Sequence, residues 1–207
     1  MKGLAIMKPF WENEYSNKEK STFGNPSQEV VDIVPFLNKG AKILDVGCGD
    51  GRHSLYLAGL GFQVDAFDIS RNAIEKVDYL KEQSNLNINT YICDALNFDF
   101  KNNYDLIIIH GVLQFIEKEK QPIIIETLKK WTNVNGYHIV ALFTDEEPIP
   151  EDLKDIMIGI FKNEEIIDYY DKWEIKLFES KKFNDEHENG IKHCHAMNKI
   201  VAKKTFE

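Results

Sequence analysis

The sequence contains little cysteine and no paired-thiol motif. Its three cysteines, Cys48, Cys93 and Cys194, are widely spaced among 207 residues, and no Cys-x-x-Cys pair occurs. This pattern argues against a disulfide scaffold and against a structural zinc site built from thiolates. We therefore expect free thiols in a reducing compartment, which for this chain would be the cytoplasm.

Long apolar runs are also missing. The longest ones, such as residues 106–109, fall far short of the about 20 consecutive apolar residues that cross a membrane. The apolar residues at the start of the chain are interrupted by Lys8 and Pro9, too early for the apolar region of a signal peptide. The sequence therefore predicts neither a membrane anchor nor a secretory leader.

Basic residues are fewer than acidic ones. Lysine and arginine number 25 and aspartate and glutamate number 34, which gives a formal net charge of −9. Such a chain has no general electrostatic attraction to nucleic acid or to anionic membranes, so a small molecule is the expected partner. The composition does not distinguish a monomer from a dimer.

Short apolar segments alternate with amphipathic ones, as in a parallel sheet covered by helices. Seven segments have strand character: residues 41–46, 62–67, 88–93, 104–110, 137–143 (after a turn ending at Gly136), 173–181 and 191–203. Helices are predicted at residues 52–60, after Ser70, and at 121–131, 151–161 and 164–170. The last two strands, joined by a polar loop at 183–190, would form an antiparallel hairpin. We predict a single α/β domain with a doubly wound, mostly parallel, Rossmann-like sheet of seven strands.

The strongest chemical signal is a glycine-rich turn between the first strand and the first helix. It reads Asp45-Val-Gly-Cys-Gly-Asp-Gly51. Glycines allow a tight turn and a close approach to a ligand, and the first N–H groups of the helix are free to bind it. The third glycine comes one residue earlier than in the dinucleotide motif G-x-G-x-x-G. Asp45 would repel a pyrophosphate but could hold a cationic amino group, directly or through water.

Two further acids follow neighbouring strands. Asp68 ends the second strand, at the position that binds a ribose in this architecture, and Asp65 inside the strand is its competitor. Asp94 follows the third strand. Because the carboxyl ends of parallel strands meet at one edge of the sheet, these acids should surround the glycine turn. Three carboxylates suit a nucleoside that carries positive charge, and they do not suit a phosphate-rich cofactor.

The turn Asp45-x-Gly47-x-Gly49-x-Gly51, with Asp68 and Asp94, resembles the cofactor site of class I S-adenosylmethionine-dependent methyltransferases. The resemblance implies that S-adenosylmethionine binds here and leaves as S-adenosylhomocysteine. Asp45, Gly47 and Gly49 would face its methionine part. Asp68 would bind the ribose hydroxyls and Asp94 the adenine amino group.

The same resemblance implies more cofactor contacts. Ile69 would pack on the adenine, Ala95 would contact it through the backbone, and Tyr15 would approach the cofactor from the N-terminal segment. His110, at the end of the fourth strand, is expected beside the cofactor as a position of backbone and packing contacts. The chain would divide into an N-terminal helical lid segment, residues 1–36, and an S-adenosylmethionine-binding methyltransferase domain, residues 37–207.

A narrower resemblance rests on four stretches. Residues 51–58 (GRHSLYLA), 61–68 (GFQVDAFD), 161–166 (FKNEEI) and 169–174 (YYDKWE) are similar to the bacterial-type tellurite-resistance methyltransferase family. The resemblance runs from about Tyr15 onward, while residues 148–159 and 184–195 depart from the family pattern. It implies methyl transfer to a small acceptor, either an anionic chalcogen compound such as tellurite or selenite, or a thiol.

Residues for the acceptor side come from the end of the chain and from the glycine turn. His193 and His195 alternate on the last predicted strand, so both should point to one face together with Met197. Arg52 follows the turn and could reach the methionine carboxylate or an anionic substrate. We expect these three residues, the two histidines and Arg52, near the acceptor as catalytic groups. The alternatives are surface positions for all three, or metal ligation by the histidine cluster that includes His187, and no metal is assigned.

Methyl transfer from a sulfonium is an in-line displacement, in which the protein aligns the nucleophile with the methyl group and excludes water. An anionic nucleophile needs no strong general base, so the lack of an evident base is compatible with this chemistry. Two other functions remain open. One is a sensor that binds S-adenosylmethionine without turnover, and the other is an NAD-type oxidoreductase, which the glycine spacing disfavours.

Overall fold

The computed structural model describes residues 10–186 and 192–206. Within these ranges the strands are β1 Lys42–Val46, β2 Gln63–Asp68, β3 Ile88–Ile92, β4 Tyr104–His110, β5 Thr132–Phe143, β6 Glu174–Glu186 and β7 Lys192–Lys203. The α-helices are α1 Phe10–Glu14, α2 Gln28–Ile33, α3 Arg52–Gly59, α4 Arg71–Gln83, α5 Gln121–Lys130 and α6 Glu165–Asp168. Three-residue 3₁₀ helices connect several of them. None of the helices described is long and apolar enough to cross a membrane.

All seven strands form one sheet in the order β3-β2-β1-β4-β5-β7-β6. Strands β1 to β5 pair in parallel, and β7 runs antiparallel to both β5 and β6. The predicted fold class, including the antiparallel hairpin at the C-terminus, is therefore confirmed. The chain order reverses on either side of β1, so the crevice beyond the carboxyl ends of β1 and β4 is where this architecture binds ligands.

The sheet is buried on both faces because its strands alternate apolar side chains between two layers. In β4, Leu106 and Ile108 pack into the layer that also contains Leu57 of α3. Ile107 and Ile109 pack into the opposite layer, with Leu128 of α5. This two-sided burial explains the continuous apolar runs in the central strands. It also holds the strand ends, and the loops that follow them, in fixed positions.

The predicted start of β5 was wrong. The strand begins at Thr132, five residues before Tyr137, because Thr132 pairs with Tyr104 ahead of an irregularity in the register. The residue in the left-handed region is Asn135, with φ 66°, rather than Gly136. The turn expected at Gly136 is therefore an irregularity within one long strand.

The predicted helix at 151–161 was also wrong. The segment contains only a 3₁₀ turn, Glu151–Leu153, and then packs its backbone against other segments. Gly159 donates its N–H to the carbonyl oxygen of Gln114 at 3.0 Å, and a Cβ at Gly159 would collide with Ile116. Phe161 forms a parallel bridge with Thr144. These long-range contacts replace the hydrogen bonds of a helix.

Two boundaries near the C-terminus differ as well. Helix α6 covers four residues, fewer than the seven predicted at 164–170. Strand β6 continues through Phe183 to Glu186, because Phe183 pairs with His195 of β7. The connection predicted as a loop at 183–190 is therefore shorter, and residues 187–191, including His187, lie outside the described residues.

One buried histidine makes the stability of the fold depend on pH. His138 of β5 is fully buried, with Nε2 2.7 Å from the Thr132 hydroxyl and Nδ1 2.7 Å from the Tyr170 hydroxyl. Burial, together with the nearby charge of Lys129, lowers the pKa of His138 to about 3. The imidazole is therefore neutral in the folded protein at neutral pH.

We predict that His138→Gln makes stability less sensitive to acid. Below about pH 6.5 the unfolded chain binds a proton at this histidine and the folded chain does not. The stability contributed by the neutral form is therefore present above about pH 6.5 and is lost as the pH falls towards about 3, by up to about 1.4 kcal/mol per pH unit. Urea unfolding at several pH values should show a shallower slope for the variant, and equal slopes would contradict the assignment.

Candidate active site

The glycine turn between β1 and α3 requires glycine at each of its three positions. Gly47, Gly49 and Gly51 have φ values of +61°, +55° and +81°, in the left-handed region that side chains disfavour. A Cβ at Gly47 would lie 2.5 Å from Cγ2 of Val112, and one at Gly49 would lie 2.9 Å from the Tyr15 hydroxyl. The turn is therefore both strained for other residues and tightly packed.

The carboxylate of Asp68 holds this turn against the end of β2. One oxygen accepts the N–H of Gly49 at 2.8 Å, and the other accepts the N–H of Ser70 at 2.8 Å. Burial raises the pKa of Asp68, although the two backbone hydrogen bonds favour its charged form. A backbone hydrogen bond, from the N–H of Cys48 to the carbonyl oxygen of Phe67 at 2.9 Å, also holds the turn against the end of β2.

Asp45 lies at the end of β1, and 1% of its surface is exposed. Its carboxylate accepts a hydrogen bond from the Ser54 hydroxyl at 2.6 Å. Burial raises the pKa of Asp45 to about 6, even though the Ser54 hydrogen bond and the charge of Arg52 oppose this shift. A cation bound beside Asp45 would keep the carboxylate ionised at neutral pH.

The other acids of β2 and β3 differ in what they face. Asp94 caps a 3₁₀ turn, accepts the N–H of Leu96 at 2.8 Å and lines the cavity described below. Asp65 instead binds the Tyr104 hydroxyl at 2.7 Å and the Asn89 amide at 2.8 Å inside the sheet. Of the two candidates in β2, Asp68 lines the cavity and Asp65 does not.

A cavity of about 1410 Å³ opens at the carboxyl ends of the strands. It is lined by every cofactor residue predicted from the sequence: Tyr15, Asp45, Gly47, Gly49, Asp68, Ile69, Asp94, Ala95 and His110. Ile69 is 72% exposed, so it presents an open apolar surface between two of the acids. The volume exceeds the about 300–1,000 Å³ of a pocket for one small ligand, which leaves room for a cofactor and an acceptor.

The N-terminal segment covers part of this cavity and is tied to the glycine turn. The N–H of Thr22 donates to Asp50 at 2.6 Å, and Lys76 of α4 pairs with the same carboxylate at 3.0 Å. Lys76 also donates to the carbonyl oxygen of Lys20 at 2.7 Å. Both side chains of the Asp50–Lys76 pair are almost completely buried. The division into a lid at residues 1–36 and a domain at 37–207 stays a prediction.

Of the three residues predicted near the acceptor, the structure places two at the cavity. Arg52 and His195 both line the cavity. The imidazole of His195 stacks on Phe143 with ring centroids 4.8 Å apart and lies 5.4 Å from the ring of Phe183. His193 pairs with Asp185 in the hairpin, but its side chain lies outside the described residues.

Sequence reasoning missed several residues that line the cavity. They are Lys181 and Phe183 of β6, Lys199 of β7, and Gln114, whose buried side-chain oxygen has no hydrogen-bond partner among the described residues. Lys199 continues the alternation of His195 and Met197, so the strand period could have identified it. Phe183 was missed because β6 is longer than predicted and includes part of the expected loop at 183–190, whereas Lys181 lay inside the predicted strand without any signal that it would line the cavity.

The wall of the cavity carries charges of both signs. The carboxylates Asp45, Asp68 and Asp94 line it together with Arg52, which directly follows the glycine turn, and with Lys181 and Lys199 from the C-terminal hairpin. Carboxylates can bind a cationic group, and the guanidinium and ammonium groups can bind an anionic one. Among the side chains that the structure describes, no group of three or more His, Cys, Asp or Glu is placed to hold a metal ion.

We predict that Gly49→Ala destabilises the protein by more than its backbone angle alone would cause. The left-handed conformation should cost about 1–2 kcal/mol, and the contact with the Tyr15 hydroxyl should add to that cost. Gly24→Ala is the matched control, since Gly24 has φ +72° and open space around its Cβ position. Urea unfolding should show the extra cost of Gly49→Ala shrinking in a Tyr15→Phe background. An unchanged cost there would show that the hydroxyl does not limit the turn.

Comparison with known proteins identifies the family. The profile of the family described as tellurite resistance protein TehB matches residues 9–202. The probable S-adenosyl-L-methionine-dependent methyltransferase TehB of Haemophilus influenzae Rd is 38% identical over 148 residues, which are 70% of this chain and 50% of that protein. This chain therefore spans about half the length of the curated relative that it matches.

Solved structures agree with the sequence comparison. The crystal structure of TehB from Haemophilus influenzae superposes with a TM-score of 0.79 at 32% identity, covering 94% of this chain and 67% of that one. An S-adenosylmethionine-dependent methyltransferase from Methanosarcina mazei shares the fold, with a TM-score of 0.68 at 18% identity over 89% of this chain and 100% of that one. The resemblance predicted from the sequence is confirmed, and the chain belongs to the TehB tellurite resistance protein family, with a class I methyltransferase fold.

Proposed function

We propose that the chain transfers a methyl group from S-adenosylmethionine to a small anionic acceptor, either a chalcogen compound or a thiol. The observation that carries the proposal is the lining of one cavity by both kinds of group, the carboxylates Asp45, Asp68 and Asp94 and the cations Arg52, Lys181 and Lys199. Family membership supports the proposal, since the Haemophilus relative is named as an S-adenosylmethionine-dependent methyltransferase. The three cysteines are free, which fits a reaction in the reducing cytoplasm.

The cofactor would occupy the acidic end of the cavity. Its sulfonium and ammonium charges would lie near Asp45, with Gly47 and Gly49 allowing the close approach of the methionine part. Asp68 uses one hydrogen bond on each oxygen, and a carboxylate has about four acceptor sites, so it can still accept the ribose hydroxyls. Asp94 would accept the adenine amino group.

The remaining cofactor contacts follow from the lining of the cavity. Ile69 would pack on one face of the adenine, and the backbone of Ala95 would contact its edge. Tyr15 would close over the methionine part, because its hydroxyl lies against Gly49. His110 would lie beside the cofactor at the end of β4. The family resemblance implies the roles of Ile69, Ala95 and Tyr15, and all four residues line the same cavity.

In this proposal the protein aligns and shields the reacting groups. Bound S-adenosylmethionine supplies an activated methyl group for in-line displacement. Arg52, Lys181 and Lys199 would hold the anionic acceptor and orient it towards the methyl group. Trp11 and Tyr15 of the N-terminal segment would exclude water from the cavity. An anionic nucleophile needs no proton removed, so none of these residues has to act as a strong base.

The histidines of β7 would act on the acceptor. His195 is held by the rings of Phe143 and Phe183, so its imidazole keeps one orientation at the cavity wall. We propose that it forms a hydrogen bond with the acceptor. We also propose a catalytic role for His193, which lies two residues before His195 on the same strand.

The proposal is tested by methyl transfer from labelled S-adenosylmethionine to three kinds of acceptor: tellurite and selenite, small thiols, and neutral alcohols. We expect transfer to the oxyanions or to the thiols in their thiolate form, because Arg52, Lys181 and Lys199 at the cavity wall would bind an anion, and no transfer to the alcohols. Tight binding of S-adenosylmethionine with no transfer to any of these acceptors would instead support a sensor. Transfer to the alcohols alone would contradict an anionic acceptor.

The same assay tests His195. We expect His195→Leu, which keeps an apolar side chain between the two phenylalanines, to lower kcat/KM for the acceptor by about 10-fold or more, since a hydrogen bond to a charged group is worth about 1.5–3 kcal/mol. The affinity for S-adenosylhomocysteine should not change. Cys194→Ala is the control, because Cys194 is the neighbour of His195 and does not line the cavity. Equal activity of both variants would remove His195 from the proposed site.

A further inference from the structure

Glu29 of α2 is a buried carboxylate that contacts two of the basic side chains lining the cavity. It is 5% exposed, and its Oε2 accepts a hydrogen bond from Nζ of Lys199 at 2.8 Å. Its Oε1 lies 3.3 Å from Nε2 of His110. This contact lacks the geometry of a hydrogen bond, and neither atom has a hydrogen-bond partner among the described residues. The carboxylate therefore lies between β7 on one side and the end of β4 on the other.

The contact to His110 continues to Arg52. Nη2 of Arg52 lies 3.2 Å from Nδ1 of His110. A guanidinium group only donates, so Nδ1 must accept, and the proton of the neutral imidazole must be on Nε2. Nε2 is the ring nitrogen that lies against Oε1 of Glu29. Glu29, His110 and Arg52 thus form a chain of close contacts, with a hydrogen bond between Arg52 and His110 and an ion-pair contact between His110 and Glu29.

The cluster holds charges of both signs at close range. Glu29 carries one negative charge, whereas Arg52 and Lys199 carry one positive charge each. Asp45 and Asp50 also act on Arg52, and Asp50 is paired with Lys76. Burial disfavours ionisation of Glu29, yet the contacts with His110 and Lys199 hold its pKa well below the usual range. Glu29 therefore stays ionised beside the basic side chains that it contacts.

The guanidinium of Arg52 has donors to spare. Its Nη1 donates to the carbonyl oxygen of Phe23 at 3.0 Å, and its Nη2 donates to His110. A guanidinium has five N–H donors, so others remain for a ligand. Arg52, His110 and Lys199 line the cavity, while Glu29 lies behind them and does not. Glu29 is thus placed to act on a ligand through its neighbours.

We propose that Glu29 is a positioning residue for an anion site, holding Lys199 directly and Arg52 through His110 so that both present donors to an anionic group in the cavity. The inference rests on the proposed function. The anionic group is either the carboxylate of the cofactor's methionine part or the acceptor itself. A buried carboxylate on the N-terminal segment thereby helps to build the binding site, in addition to joining α2 to β7.

The experiment compares Glu29→Gln with the wild type in two titrations and one kinetic assay. S-adenosylhomocysteine carries the carboxylate, and 5′-methylthioadenosine lacks the whole amino-acid part. If the anion is the cofactor carboxylate, the variant should bind S-adenosylhomocysteine about 10-fold more weakly, the loss of about one charged hydrogen bond, and methylthioadenosine equally well. If the anion is the acceptor, both affinities should stay unchanged while KM for the acceptor rises about 10-fold at similar kcat.

The control is Asp32→Asn, which removes the same charge from an exposed position of α2 and should change none of these values. A Glu29→Gln variant with unchanged affinities and unchanged KM, or with equal weakening of both nucleosides, would overturn the inference. Those results leave the proposed function intact. A wild-type chain that binds neither nucleoside would overturn the proposed function, and this inference with it.

A second variant keeps the test decisive if Glu29→Gln does not fold. His110→Phe preserves an aromatic ring at the end of β4 and leaves the Glu29–Lys199 bond in place, while it breaks the connection to Arg52. It should selectively weaken binding of the same anionic group that Glu29→Gln affects, either the cofactor carboxylate or the acceptor. Equal loss of both nucleosides in this variant would show that His110 only supports packing, and would contradict the positioning role.

Discussion

A half-buried carboxylate at the end of β2 accepts the N–H of Gly49 on one oxygen and the N–H of Ser70 on the other. Through these two bonds Asp68 joins the glycine turn to the start of α4. The glycine turn packs closely against Tyr15 and Val112, so it also positions the N-terminal segment and the loop after β4. Much of the cavity wall therefore depends on this one polar contact.

The N-terminal segment is a second constraint, because it enters the cavity and is held there by buried charges. Asp50 and Lys76 fix the backbone near Thr22, and Glu29 reaches Lys199 on the other side of the cavity. Breaking a buried pair by removing one partner typically costs about 3–5 kcal/mol. Such contacts keep the segment in place against a cavity whose wall carries charges of both signs.

The parts of the fold and site that could be predicted from the sequence are those with local causes. The strands up to β4, and the placement of the glycine turn, Asp68 and Asp94 at the carboxyl ends of strands, follow from apolar runs that end in glycines or acids. The helix at 151–161 could not be rejected in this way, because Gly159 packs on Ile116 from a distant segment. The contact between Glu29 and Lys199 could not be predicted either, because it joins residues 170 positions apart in the sequence and forms only in the tertiary fold.

The most direct test of the account is a calorimetric titration with S-adenosylhomocysteine of the wild type and of Asp68→Asn and Asp65→Asn. Both variants remove one carboxylate from β2, but Asp68 lines the cavity and Asp65 is bound inside the sheet. The account predicts saturable binding by the wild type, at least about 10-fold weaker binding by Asp68→Asn, and near wild-type binding by Asp65→Asn. Absence of binding by the folded wild type, or equal losses in both variants, would contradict it.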